Sequence, residues 1–135
     1  MSAQIRYLID TDVCSYAIKK QPNALSLLRS LPIGSWGISS VTHYELSAGI
    51  LQPNCSKAVR KAARDFLDVV TVLSFGEKAA NAAAVAKQDL RATGLPTGQM
   101  DILIAGHALS LEASLVSNNL KHFENVKGLA LKALA

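Results

Sequence analysis

Tyr7-Leu8-Ile9-Asp10-Thr11-Asp12-Val13 reads as an apolar strand that runs out at a carboxylate and passes at once into a helix. In an open α/β sheet the ligand crevice lies beyond the carboxyl ends of the strands, so a carboxylate at Asp10 points into it. Asp is also a good helix cap, but Thr11 and Asp12 can serve that purpose, which leaves Asp10 for function. Asp12 lies in the first helical turn, where the helix dipole favours negative charge. A contact to the water around a bound ion is its lesser role.

Working outward, the first strand covers 5–9, a helix 12–20 and a second short helix runs through Leu28 after Gln21-Pro22-Asn23. Leu31-Pro32-Ile33-Gly34 is a turn, Trp36-Gly37-Ile38 a short strand, and Ser39 or Ser40 caps a helix to about Ile50. Gln52-Pro53-Asn54 ends it, and a longer helix spans about 56–68. The β-branched run from Val69 to Phe75 predicts a buried strand. An Ala-rich helix from Gly76 stops at Gly94-Leu95-Pro96, and Thr97 caps a nearly all-apolar helix over 98–110, which belongs in the interior. Ser114-Leu115-Val116 and Leu129-Ala130-Leu131 supply the last two strands. Five strands separated mostly by helices predict a three-layer α/β sandwich around a central parallel sheet, one domain over 1–135.

Half of the residues are hydrophobic, enough for a substantial core in a chain of 135. Fourteen basic against ten acidic side chains leave a net charge of +4, compatible with a nucleic-acid partner but not specific for one. Lys57, Arg60, Lys61 and Arg64 form a stripe on one helix face, either solvated surface or a docking site for RNA or protein. Cys14 and Cys55 match neither a metal spacing nor a disulfide framework and read as reduced thiols. No cleavable leader precedes the first strand and no apolar run approaches a membrane span, which points to a cytoplasmic protein away from membranes.

Two further acids interrupt apolar helices. Glu45 would close a capping box with Thr42, yet a cap at Ser39 or Ser40 leaves it a turn too deep, so both readings stand. Asp101 falls in the second turn of the apolar helix, and burying it unpaired is costly. Three carboxylates in one crevice raise one another's pKa unless a cation intervenes. Magnesium suits an all-oxygen set of this kind, and the chemistry such an ion supplies is phosphodiester hydrolysis. Asn118 and Asn119, after the fourth strand, either orient water and the ion or simply form a turn. His107 reads as a packed core residue, and His43, two residues from Glu45, faces away from it.

With these residues in place, the chain resembles the PIN-domain ribonucleases, specifically the VapC toxins of toxin–antitoxin pairs. The resemblance rests on Tyr7 to Val13, on Ile38-Ser39-Ser40-Val41-Thr42-His43-Tyr44-Glu45-Leu46, on Gly98-Gln99-Met100-Asp101-Ile102-Leu103-Ile104-Ala105 and on Leu115-Val116-Ser117-Asn118-Asn119, four motifs in order along the chain. It implies RNA cleavage with Mg²⁺ or Mn²⁺ held by Asp10, Glu45 and Asp101, with Asn118 and Asn119 completing the site. It also implies a VapB-type antitoxin that blocks the site, a homodimer, and tRNA or ribosomal RNA as substrate. Relatives often carry Asn where Asp12 stands, and many place a fourth acid where this chain reads Leu120-Lys121-His122-Phe123, with Glu124 close by. Occupancy of a second metal position therefore stays open.

Two rival readings belong to other classes. One is a phosphatase of the haloacid-dehalogenase type, with Asp10 as nucleophile and Asp12 as general acid. The other is a non-catalytic module that keeps the fold and binds through its surface.

Overall fold

A computed structural model describes residues 4–94 and 97–134. Five parallel strands lie in the order β3-β2-β1-β4-β5: β1 is Tyr7–Ile9, β2 Trp36–Ser39, β3 Val72–Leu73, β4 Ser114–Ser117 and β5 Leu131–Ala133. The first three strands step one way across the sheet and the last two step the other. The direction reverses between β1 and β4, paired Tyr7 with Ser114 through Ile9 with Val116. Strand ends at such a reversal leave a crevice between the two outgoing segments. Asp10 leaves β1 there, and Asn118 leaves β4.

Side chains alternate across the sheet and build two cores. Ile9 and Val116 face Val13, Cys14, Leu46 and Ala63 of α1 (Thr11–Ile18), α3 (Ser40–Ile50) and α4 (Lys57–Val69). Leu8 and Leu115 face Ala83, Ala86, Ile104 and Ala105 of α5 (Glu77–Thr93) and α6 (Gln99–Leu111). The short helix α2 (Pro22–Ser30) packs against the first group through Ala24. This is the expected three-layer sandwich. Gly106 lets α5 and α6 nearly touch, since a Cβ there would lie 2.4 Å from the Ala83 backbone.

Several boundaries differ from expectation. The Val69–Phe75 run is not one buried strand: α4 continues through Val69, which is 83% exposed, and only Val72–Leu73 pair, at the sheet edge. The reason is that Phe66 and Leu67 in the last turns of α4 and Val70 at its C-cap all pack against the first core, so the helix takes the start of the run. The last strand is Leu131–Ala133, two residues later than expected, which preserves the faces because the side-chain period is two. Helix α6 is capped at Gly98, not Thr97, with no side-chain cap bond. The α5 terminus lies at Gly94, in the left-handed conformation at φ 70°, while Leu95 and Pro96 of the anticipated breaker lie outside the described residues.

Candidate active site

Asp10 is itself the N-cap of α1, correcting the assignment of that role to Thr11: its Oδ1 accepts from the Thr11 amide at 2.8 Å. Its Oδ2 accepts from the Ser117 hydroxyl at 2.8 Å, across the β1–β4 junction. Capping and function are therefore not alternatives, because each oxygen keeps a further lone pair. Asp10 is only 5% exposed.

Asp12 does more than favour the helix dipole. Its Oδ1 accepts from the Val13 amide at 2.7 Å, and its Oδ2 from the Asn118 amide at 3.1 Å and the Asn119 side-chain amide at 3.2 Å. The segment after β4 is thus tied to the start of α1. The Asn118 side chain turns toward the Tyr16 hydroxyl at 3.4 Å, so both Asn amides are engaged within the protein. Both Asp12 oxygens accept from amides of the protein, which weighs against the phosphatase reading, where Asp12 would carry and donate a proton.

Glu45 is half-buried, and Ser39 is the α3 cap, accepting from the Val41 amide at 3.0 Å. The capping-box alternative falls away. Glu45 accepts instead from the Thr11 hydroxyl at 2.6 Å, and Thr11 also lies 3.0 Å from the Thr42 hydroxyl. A hydroxyl relay therefore ties Glu45 to the residue next to Asp10.

Asp101 sits in the first turn of α6, not the second, because the cap is Gly98. Its compensating group is His122, whose Nδ1 lies 3.0 Å from Oδ2. His122 belongs to a 3-10 turn at Leu120–His122, where the resemblance places a further acid. A carboxylate is thus replaced by a partner to one, and Glu124 is solvent-exposed.

The acids sense one another. Burial, then the charge of Asp12, and to a smaller extent that of Asp101, push Asp10 up to about 7 against the bonds from Ser117 and Thr11. Burial likewise raises Asp101, with Asp12 adding to the effect and His122 opposing it. A divalent cation would relieve this repulsion, and the oxygen-only donors suit a hard one. Among the described residues, no three His, Cys, Asp or Glu side chains stand round one point as a ready-made cluster. The acids that meet electrostatically are Asp10, Asp12 and Asp101, with Glu45 joined to them through Thr11. One outcome follows for pH: Asp12→Asn keeps an acceptor for Asn118 and removes the charge that raises both neighbours. Metal affinity in this variant, measured by titration across pH at low Mn²⁺, should hold to lower pH than in the wild type; an unchanged profile would show that Asp12 does not set the ionisation of Asp10.

Sequence reasoning missed Ser117, Thr11 and Thr42 as positioning groups. A small hydroxyl at the end of β4, the strand that pairs with β1, was the available signal for Ser117. His107 is a core residue as expected, 2% exposed, held to the Ser39 hydroxyl at 2.7 Å and set edge-on to Phe75. His43 lies 3.3 Å from Ser47 on its own helix, away from Glu45. In the cationic stripe, Arg60 turns back to the carbonyls of Ile50, Gln52 and Cys55, and Lys61 pairs with Asp65, leaving Lys57 and Arg64 exposed without such partners among the described residues.

The chain is similar along most of its length to known proteins. The family model described as PIN domain matches residues 7–129. The tRNA(fMet)-specific endonuclease VapC of Shigella flexneri is 32% identical over 125 residues, covering 93% of this chain and 95% of that protein. Ribonuclease VapC2 of Haemophilus influenzae is 34% identical, with the same coverage. Among solved structures, VapBC2 from Rickettsia felis bound to a DNA fragment from its promoter superposes with a TM-score of 0.87 at 30% identity, covering 96% of this chain and 98% of that one. DNA-bound VapBC from Salmonella typhimurium superposes with a TM-score of 0.89 at 28% identity, covering 98% and 100%. With residues 7–129 matched by the family model and more than nine-tenths of its length by these relatives, the chain belongs to the PIN-domain family, on the branch of the VapC ribonucleases.

Proposed function

We propose that residues 1–135 act as one Mg²⁺-dependent endoribonuclease domain, a toxin that cuts tRNA and is neutralised by a VapB-type antitoxin. The observation that carries the reading is Asp10: a carboxylate 5% exposed at the sheet reversal, pushed up to about 7 beside Asp12 and Asp101. Asp10 and Asp101 are the direct ligands in this reading, with Glu45 completing the set or orienting water through its link to Thr11. Mg²⁺ is commonly held by one or two carboxylates and otherwise hydrated, and Mn²⁺ can take the same place. When bound, the ion supplies an activated water and neutralises charge developing on the phosphate.

The chain's own groups do the rest. Ser117 and the Thr11 amide hold the Asp10 oxygens, Asp12 fixes the Asn118-Asn119 segment at the crevice edge, and His122 holds Asp101. Asn118 and Asn119 act here by shaping the crevice, with their amides available to water when they exchange partners. Support for tRNA is the name of the Shigella relative, and support for the antitoxin is that the superposing structures are VapBC complexes. A homodimer in the cytoplasm accords with this reading, and no described helix is long and apolar enough to cross a membrane.

The test is sequencing of RNA 5′ ends after brief induction of the wild type or Asp101→Ala. One or a few cut sites present only with the wild type are expected. Identical end profiles, with both proteins folded and free of antitoxin, would favour the non-catalytic module instead.

A further inference from the structure

A second hollow opens beside the acids. Thr11 and Glu45 also form one wall of a recess of about 220 Å³ between α1, α3 and α4. Its floor is aliphatic, made by Ile18, Leu46, Ile50, Val59 and Ala63. Thr11 and Ser15 of α1 and Lys19 at its C-cap line it at i, i+4 and i+8, in one row. That row starts beside Asp10 and ends about 12 Å further on, at 1.5 Å per residue, with the exposed Lys19. The recess therefore passes from the acid crevice, through a hydroxyl, to a cation at its rim, over an apolar floor.

Gly49 stands at the mouth of this recess, in the last turn of α3. Glycine inside a helix is destabilising relative to alanine, so its presence calls for a reason. At Gly106 the reason is close approach, because Ala83 fills the space. At Gly49 a Cβ would meet nothing within 4 Å, and the backbone is not in the left-handed region. A side chain at this position would meet open space at the lining of the recess, not a neighbouring atom.

We propose that this recess is a nucleobase subsite, which takes one unstacked base of the RNA next to the phosphate held at the acids. The inference rests on the ribonuclease reading and names the part of the chain that senses sequence beside the cut. Sequence-specific recognition of RNA works on single-stranded segments whose bases are splayed out against side chains, and flipped bases lodge in snug pockets between apolar groups. The volume lies below the roughly 300–1,000 Å³ of pockets that enclose whole ligands, which suits one ring system. Placement favours a nucleotide over a peptide side chain: the adjoining acids are where the scissile phosphate would sit, and Ser15 and Lys19 further along the recess suit a ribose-phosphate.

Cys55 lines the same recess and is half-buried, whereas Cys14 is fully buried with its thiol pushed well up by burial. N-ethylmaleimide labelling therefore reads Cys55. The experiment uses the full chain, freed of any partner, and a mixed-sequence RNA hexamer in Ca²⁺ as probe. It follows the rate of Cys55 labelling together with hexamer binding to wild type, Gly49→Ala and Gly49→Leu. Both substitutions favour the helix, so thermal unfolding should show a retained fold. The expected result is that the hexamer slows labelling about tenfold and binds Gly49→Leu about tenfold more weakly, the size of effect that follows when a single base is displaced from its seat. Gly49→Ala should stay close to wild type. Unchanged labelling with equal binding by all three proteins would overturn the subsite, while the cut sites absent in Asp101→Ala would leave the nuclease reading standing. Protection by a purified antitoxin but not by RNA would also overturn it and assign the recess to a protein side chain. Failure of the wild type to bind the hexamer would overturn it as well, and the 5′-end comparison would then decide whether cleavage falls with it.

Discussion

Asp10→Asn should silence RNA cutting and, at the same time, make the protein harder to unfold at pH 8 in the absence of divalent ions. The substitution keeps the shape of the side chain, an acceptor for the Thr11 amide and a partner for Ser117, and Asn is as good a helix cap as Asp. What it removes is a charge that the fold opposes. The ordinary carboxyl value of 3.8 is raised to about 7 in the folded protein, so folded chains bind a proton more readily than unfolded ones. Stability then falls as pH rises from near 4 to near 7 and is level above that. Asn escapes the penalty, by an amount on the order of a few kcal/mol at pH 8 and by little below pH 4. Urea unfolding of both proteins at the two pH values checks this. Adding Mn²⁺ should restore stability to the wild type and not to the variant, because an ion that binds only the folded state stabilises it. Cleavage should drop by a factor on the order of 10²–10³ or more, as for loss of a group that stabilises developing charge. A variant less stable than the wild type at pH 8 would mean that Asp10 is paired with a cation in the folded state.

Gly106→Ala should have the opposite sign to what helix propensity predicts. In an isolated helix this change stabilises by about 1 kcal/mol. Here the new methyl would lie 2.4 Å from Ala83 N and Cα and 2.5 Å from its Cβ, on the neighbouring helix. Backbone atoms cannot swing aside as a flexible side chain can, so α5 and α6 must separate. Their packing carries much of the second core, including Ile104 and Ala105 against Leu8 and Leu115. A destabilisation of about 3 kcal/mol or more is expected, at the upper end for overpacked cores. Chemical denaturation measures it, and a midpoint equal to or above the wild type would show that α5 shifts freely. Cleavage should fall with the folded fraction, since Asp101 rides on the first turn of the same helix.

The central strands and the three-layer plan were legible because their signals are local: apolar segments of strand length, each followed by a cap or turn residue. Asp10 was legible for the same reason, as a carboxylate where an apolar strand stops. Glu45 required the cap to be placed at Ser39, since only then does it lie too deep to serve the helix end. Asp101 was identified as functional on a wrong premise about its turn, because Thr97 outranks Gly98 as a cap by residue type. Its partner His122 could not be read, being 21 positions away and brought back only by the turn after β4. Ser117 and Thr11 share that difficulty, for their partners depend on strand order, and order is set by packing between distant segments. The edge strand was overread because Val69 and Val70 are β-branched but form the last residue and the C-cap of α4, with Val69 left exposed.

The strand order also bears on how the protein is made. β4 inserts between β1 and β5, although 104 residues separate Ile9 from Ser114. During synthesis, at roughly 5–20 residues per second, β1 can join β2 early, but its other edge stays open for several seconds. Only when Ser117 emerges can Asp10 gain its second bond and Asp12 gather Asn118 and Asn119. A ribosome whose chain has not yet released β4 thus carries no assembled crevice, and the RNA around it is spared until that strand emerges.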